Sequence, residues 1–512
     1  MRAIVPVIAF WTVFQMGGSA PLFAFGAEEG TVVRESINRN RVEILEELME
    51  FLTLPNVSGN LDDILENARH LQKLMERRGI RTQIVDQERA PLVIGHIEFE
   101  NAQRTLLLYA HYDGQAVDES RWVDSKPFAP ILRDGTLEEG RVLELPAGGE
   151  ILDDWRVFAR SASDDKSPIV AMLAALDALE ETGQTPTSNL IFVFEGEEEA
   201  GSAHLPELLT EYRDLLRADA IIVADGPVFI TNAPTVYFGA RGIVTLELTV
   251  YGAARNLHSG HYGNWVPNPA QRLANLLASM KDDSGRVLVE GFYDDLKPLT
   301  PAEEEALESV PGVEARLMEE FAIGSTEGDR TLMRAINLPS LNVRGLRSGW
   351  TGEQARTIVP DRATASIDLR VVESIDPARQ VERVIEHIRK QGFYVVSSEP
   401  ATETLRAQPK VALVTSAWGY AAHRTAMGDP LCVTLLEALR SQFGEVVALP
   451  TLGGSVPLVV FKEKLGNDLI IGLPIVNPDN NQHSSNENLR LGHFYRGIES
   501  FAVLYTMPGL SD

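Results

Sequence analysis

The sequence predicts an α/β fold: a mostly parallel sheet covered by helices, interrupted by an inserted α+β domain. Three observations predict it. Between residues 105 and 223, and again after 413, short apolar runs alternate with helix-patterned segments, as buried strands joined by crossover helices do. After Arg241 and Gly242 the runs change and alternate apolar with polar residues, the pattern of strands with one wet face. The chain has 512 residues, more than one hydrophobic core organises.

The elements follow in chain order. Residues 1–27 read as an export signal: Arg2 gives a positive start, and 4–14 is an apolar run broken only by Pro6 and Thr12. Small residues follow at Gly17, Gly18, Ser19 and Ala20, with a second cleavage candidate at Gly26 and Ala27. The run is short for a bilayer span, so the mature chain is expected to be exported, periplasmic or secreted, rather than anchored. The first part of the large domain occupies 28–240. Residues 41–52 and 61–78 are spaced as amphipathic helices, and 105–109 as a buried strand. Over 167–181, Ile169, Met172, Leu173, Leu176 and Leu179 share one helical face, which Pro168 opens and Gly183 closes. Strands are expected at 190–194 and 220–223. The inserted domain spans 241–412, with alternating strands at 244–251 and 363–371 and a helix at 377–391. It reads as an antiparallel sheet with helices on one side. Residues 284–329 are acidic and irregular and have no assignable element. The large domain resumes over 413–512, with strands near 445–449 and 468–472 and a final helix at 491–505.

Composition narrows the class. Apolar residues make up 44% and charged residues 23%, ordinary for a globular protein. The formal net charge of -27 argues against a nucleic-acid partner, which would require clustered Lys and Arg. Cys432 is the sole cysteine, so no internal disulfide forms; its apolar helical surroundings mark it as a packing residue.

The chemistry gathers at strand ends. L-L-L-Y-A-H-Y-D-G carries His111 and Asp113. I-F-V-F-E-G-E-E-E-A-G-S carries Glu195, Glu197, Glu198 and Glu199. A-I-I-V-A-D-G carries Asp225, and a long loop after L-I-I-G delivers His483. R-S-A-S-D-D-K-S-P places Asp164 and Asp165 just before a helix. Any one of these is weak, since an E-E-E run is usually a solvated turn and a His beside a strand usually structural. Together they matter, because ligands in open α/β sheets bind outside the carboxyl ends of the strands. Gathered carboxylates repel unless a cation compensates them. Imidazole with carboxylate suits Zn²⁺ or a harder ion such as Mn²⁺.

In this order, H-Y-D-G-Q, S-D-D-K, E-G-E-E-E-A-G-S, L-H-S-G, G-G-S-V-P and Q-H-S-S-N-E resemble the M20 family of metallopeptidases, above all its dipeptidase and carboxypeptidase branch. The likeness covers about 40–508. It implies a two-metal hydrolase binding two divalent ions, Zn²⁺ first and Mn²⁺ or Co²⁺ as alternatives. His111, Asp164 and Asp225 would hold one ion, and Asp164, Glu199 and His483 the other, with Asp164 bridging. A cis peptide often follows this Asp in the family. Asp113 would orient the His111 ring, and Glu198 would be the general base, with Glu197 or Glu199 as the competing assignments. His258 of N-L-H-S-G would reach a partner subunit's site and stabilise the oxyanion, which makes a homodimer through the inserted lid domain the expected assembly. Arg370 would grip the substrate carboxylate, and Ser455 of G-G-S-V-P would lie at the substrate's carboxyl end.

The sequence departs from the family in places. Ala159 and Ser161 flank Arg160 where glycines are usual, and Ser167 replaces another glycine. About twenty residues, 138–156, look inserted just before this loop, and they are expected to cap the mouth of the site and change substrate preference. Asn264 and Trp265 are further candidates for lining the site. The expected substrate is a small peptide. The alternatives are an N-acyl-amino-acid amidohydrolase with the same centre, and a non-catalytic exported solute-binding protein.

Overall fold

The computed structural model describes residues 27–145, 150–454 and 456–509. The expected export signal falls outside these residues except for Ala27, and Ser455 falls outside them entirely. Among the described residues no helix is long and apolar enough to cross a membrane.

An eight-stranded sheet organises the large domain, in the order Arg81–Val85, Leu92–Ile97, Ser188–Glu195, Arg104–His111, Ala220–Val223, Ile470–Gly472, Thr235–Tyr237, Val447–Leu449. Its four central strands, Ser188–Glu195 to Ile470–Gly472, run parallel. The first two strands and the contact between Ile470–Gly472 and Thr235–Tyr237 are antiparallel. The apolar run at 104–111 is buried on both faces. Leu106, Leu108 and Ala110 enter the core beneath helices Lys166–Glu181 and Leu491–Thr506; Leu107 and Tyr109 enter the core on the other side, with Leu205, Leu208 and Phe461. Each such buried side chain contributes roughly 1.5–3 kcal/mol relative to exposure. With both faces covered, the polar groups are left to the strand ends, and the parallel direction puts several of those ends together.

The second sheet has the order Ser340–Arg347, Arg362–Val371, Gly242–Tyr251, Val411–Tyr420, Tyr394–Val396, antiparallel except for its last pair. The alternation in 244–251 works as expected. Val244, Leu246, Leu248 and Val250 bury against Leu273, Leu276 and Met280 of helix Pro269–Met280 and against Val384 and Ile388 of helix Pro377–Lys390, while Glu247 is exposed. Asp376 caps the second helix by accepting from Arg379 N at 2.7 Å, and Pro377 occupies its first turn.

The inserted domain differs from expectation in two respects. Its last long strand continues to Tyr420, beyond the boundary placed at 412, because that strand pairs with 243–251 of Gly242–Tyr251. The acidic stretch with no assigned element contains helices Pro301–Ser309 and Glu314–Glu320. Leu307 and Val313 there, with Met333 beyond them, pack into the large domain's core. Apolar residues spaced among acidic ones fold back here onto the first domain, while the lid sheet is built from the residues on either side.

Of the inserted residues, the described ones, 138–145 and 150–156, lie against the large domain rather than over the site. Ile151 is buried with Leu143, Leu145 and Trp155 against the main core. Arg41 donates to Ile151 O at 2.9 Å and pairs with Asp153 at 2.8 Å, and Arg490 pairs with Asp154. The segment is thereby tied to helices Arg41–Leu52 and Leu491–Thr506, and none of its described residues lines the main cavity.

Candidate metal centre

Four adjacent parallel strands end in one place. His111 and Glu195 are paired residues at the ends of their strands, and Asp225 follows Ala220–Val223 by two residues. His483 arrives on the loop after Ile470–Gly472. Asp164 enters from the side, just before helix Lys166–Glu181, and the peptide bond that follows it, Asp164–Asp165, is cis. Lys166 is fully buried and donates to Phe51 O and Leu54 O at 2.9 Å each, fixing the start of that helix to the end of helix Arg41–Leu52.

The side chains converge. One atom each from His111, Asp164 and Asp225 lie within 4.8 Å of one another, and so do atoms from Asp164, Glu199 and His483. His111 Nε2 is 3.0 Å from Asp164 Oδ1. His483 Nε2 is 3.1 Å from Asp164 Oδ2 and 3.3 Å from Glu199 Oε2. Asp164 thus belongs to both groups. Its buried Oδ2 has no well-aligned hydrogen-bond donor, which suits an atom meant for a cation. A mixed imidazole–carboxylate donor set at this spacing fits two divalent ions.

The electrostatics point the same way. Burial, reinforced by the Asp164 charge, raises the Glu199 carboxyl to about 7 and the Asp225 carboxyl to about 6. The Asp164 carboxylate beside it, with Glu199 adding its charge, pushes the His483 ring up to about 9. Burial alone would lower the His111 ring, but Asp113 and Asp164 raise it well above its ordinary value. Protons are held here where cations would otherwise balance the acids.

The three consecutive glutamates divide. Glu197 is engaged by His204, whose Nδ1 lies 2.8 Å from Glu197 Oε2. Glu199 is in the donor cluster and accepts from Gln115 Nε2 at 2.7 Å. Glu198 belongs to neither donor group; its Oε2 lies 4.0 Å from His111 Nε2 and its side chain lines the cavity. Burial, with Asp225 and Glu195 nearby, raises its pKa well above the carboxylate range. Asp113 contacts both the His111 ring and the glutamate loop. His111 Nδ1 is 3.2 Å from the Asp113 carbonyl oxygen and 3.4 Å from its Oδ1, while the carboxylate accepts from Glu198 N at 3.1 Å and Glu199 N at 3.0 Å.

Sequence reasoning missed two supports. Glu487 is fully buried and accepts from Ser161 N, Ser163 N and Asp164 N at 3.0, 2.9 and 2.9 Å, and from Arg160 Nη1 at 2.7 Å. These bonds hold Ser161 at φ 61°, in the left-handed region where the family has glycine. The sequence signal was its place at the end of Q-H-S-S-N-E, four residues after His483, where it had no assigned role. Tyr237 donates to the Asp225 carbonyl at 3.0 Å, and its ring lies so close over Gly472 that a Cβ there would be 2.0 Å from it. Replacing Glu487 with alanine is expected to weaken metal uptake by about 10–100-fold, the usual cost of losing a residue that orients a ligand. Metal titration of stripped protein, at a temperature where circular dichroism shows it folded, checks this.

The cavity beside the donors holds about 520 Å³ and is lined by Glu198, Glu199 and His483 on one side and by Ile243, Arg370 and Tyr420 of the lid sheet on the other. Gly454 and Pro457 also line it. Arg370 Nε lies 3.5 Å from Asp368 Oδ2. His258 does not line this cavity. It is exposed near the start of helix Ser259–Tyr262, its ring 4.5 Å from that of His261. Trp265 is 79% exposed, and neither it nor Asn264 lines the cavity of its own chain.

A two-domain α/β scaffold with paired His–carboxylate clusters in its interdomain cleft defines a metal-dependent hydrolase. Residues 107–506 match Peptidase family M20/M25/M40, and the chain belongs to that family as a metal-dependent peptidase. It is 26% identical over 494 residues to the Cys-Gly metallodipeptidase of Schizosaccharomyces pombe, covering 92% of this chain and 96% of the relative. It is 25% identical over 427 residues to the human Beta-Ala-His dipeptidase, covering 81% and 77%. Among solved structures, an M20 family metallo-carboxypeptidase from Sulfolobus solfataricus superposes with a TM-score of 0.72 at 29% identity, covering 90% of this chain and 99% of the other. The solute-binding alternative is set aside.

Proposed function

We propose that the chain is an exported, homodimeric dipeptidase working through two divalent ions, with Zn²⁺ as the first candidate. One observation carries the two-ion reading: two donor groups share Asp164 and open on one cavity, with Glu198 beside them and outside both. His111, Asp164 and Asp225 would hold one ion, and Asp164, Glu199 and His483 the other. Bound there, the ions would supply Lewis acidity to the scissile carbonyl and to the attacking water. Glu198 takes the proton of the attacking water as its oxygen bonds to the carbonyl carbon. It returns the proton to the departing amine as the C–N bond breaks. The engagement of Glu197 by His204 and of Glu199 in the donor cluster supports this choice of base. Arg370 faces the donors across the cavity and holds the substrate's free carboxylate; Ser455 assists there. His258, exposed on the lid, serves a partner subunit's site by donating to the developing oxyanion. The names of the relatives support dipeptides as the substrate class, and the apolar start of the chain supports export.

Metal analysis of purified protein, combined with a panel of dipeptides and N-acyl amino acids before and after chelation, tests the reading. Two ions per chain are expected, with dipeptide hydrolysis that stripping abolishes and divalent metal restores. Turnover that survives complete stripping overturns it. The sign of the pH effect follows from the raised groups. Glu199, Asp225 and His483, near 7, 6 and 9 without metal, must lose protons to become ligands, so uptake strengthens as pH rises from 6 to 9.

A further inference from the structure

The lid side of the cavity is a single row across three strands. Ile243 sits opposite Arg370 in the pairing of Gly242–Tyr251 with Arg362–Val371, and opposite Tyr420 in its pairing with Val411–Tyr420. Residues directly opposite in antiparallel strands project to the same face, and all three line the cavity. The strands are drawn tight at this point. A Cβ on Gly242 would stand 2.4 Å from Tyr420 O, and one on Gly419 would stand 2.6 Å from Ile243 O. The bare backbones of these two glycines set Ile243 and Tyr420 side by side at the mouth of the cleft. Among the described lining residues, the charged and imidazole groups other than Arg370 are Glu198, Glu199 and His483, all on the opposite wall.

We propose that this row is the subsite for the substrate's carboxyl-terminal residue and that it selects an apolar or aromatic side chain. The inference rests on the proposed role of Arg370 at the free carboxylate. Once that carboxylate is fixed at one end of the row, the side chain on the same α-carbon is within one strand spacing of Ile243 and two of Tyr420, about 5 and 10 Å. An aliphatic group packs on Ile243, and a longer or aromatic one extends over the Tyr420 ring. An anionic side chain would lose water there and find in the row only the arginine already engaged by the carboxylate, with Asp368 3.5 Å from that arginine adding repulsion.

The test compares kcat/KM for Ala-Gly, Ala-Leu, Ala-Phe and Ala-Asp in the wild type, Ile243→Ala and Tyr420→Ala. A ratio between two substrates on one preparation does not depend on the fraction of protein correctly folded, so a partly unstable variant remains informative. The wild type is expected to favour Leu and Phe over Gly by about tenfold or more, and Asp to be the poorest. Ile243→Ala should lower the Leu:Gly ratio about tenfold and Tyr420→Ala should lower the Phe:Gly ratio similarly, both mainly through KM. Ratios unchanged in both variants, or a wild type that prefers Gly or Asp, overturn the proposal. If no dipeptide is turned over, the matching N-acetyl amino acids are compared in the same way. Their hydrolysis with the predicted ratios retains the row while removing the dipeptidase reading; hydrolysis of neither series removes both.

Discussion

Glu198→Gln should keep two metal ions per chain yet lower kcat by about 10²–10⁴-fold, the range for loss of a positioned general base. The two halves of this expectation come from one geometric fact. Glu198 is outside both donor clusters, so its charge is not needed to hold the ions. Its carboxyl lines the cavity beside them, so its basicity is needed for the proton. Its backbone N–H, and that of Glu199, donate to Asp113, so the amide replaces the acid without releasing the loop. Gln is close to Glu in shape and cannot accept a proton from water near neutral pH. Because the proton transfer belongs to the transition state, kcat and kcat/KM should fall together with little change in KM. Elemental analysis and steady-state kinetics on the same sample decide it. A variant that turns over at the wild-type rate moves the base to another group, and one that arrives without metal makes Glu198 a ligand instead.

The sequence made the strand ends legible but not what holds them in place. The run L-L-L-Y-A-H reads as a buried strand because every residue is apolar up to the point where polar chemistry begins, and the structure buries 106–111 completely. Local order of this kind survives into the fold. The clamp by Glu487 joins residues more than three hundred apart, and the Tyr237–Gly472 contact spans the whole inserted domain. No periodicity encodes such pairs. The same reason explains the acidic stretch around 284–329. Its apolar residues divide between two cores: Val287, Val289 and Phe292 bury in the lid's own, while Leu307 and Val313 find their partners in the large domain's. In Ala159-Arg160-Ser161 the sequence shows that the usual glycines are replaced, but not what takes over their role. Ser161 takes a positive φ there, because a buried carboxylate holds a backbone that a glycine would adopt freely.

Asp164→Asn is expected to remove both ions and, with them, all measurable hydrolysis. Most single-ligand substitutions in a two-ion centre weaken one site and leave the other partly filled. Asp164 differs because each of its oxygens faces a different imidazole, His111 on one side and His483 on the other, and each donor group is left with two residues when it goes. An amide offers one neutral oxygen in place of a shared anion, and its nitrogen would face one of the two sites as a donor. Loss of a residue that only orients a ligand costs about 10–100-fold in affinity, so loss of the bridge should exceed that at both sites. Asp225→Asn is the informative control, since Asp225 belongs to one group alone. Its metal content should settle near one ion per chain where Asp164→Asn retains essentially none. Equal metal content in the two variants would show that the sites fill independently and that Asp164 is an ordinary ligand of one of them. The two-ion cooperation on which water activation depends would then have to be assigned to a different residue.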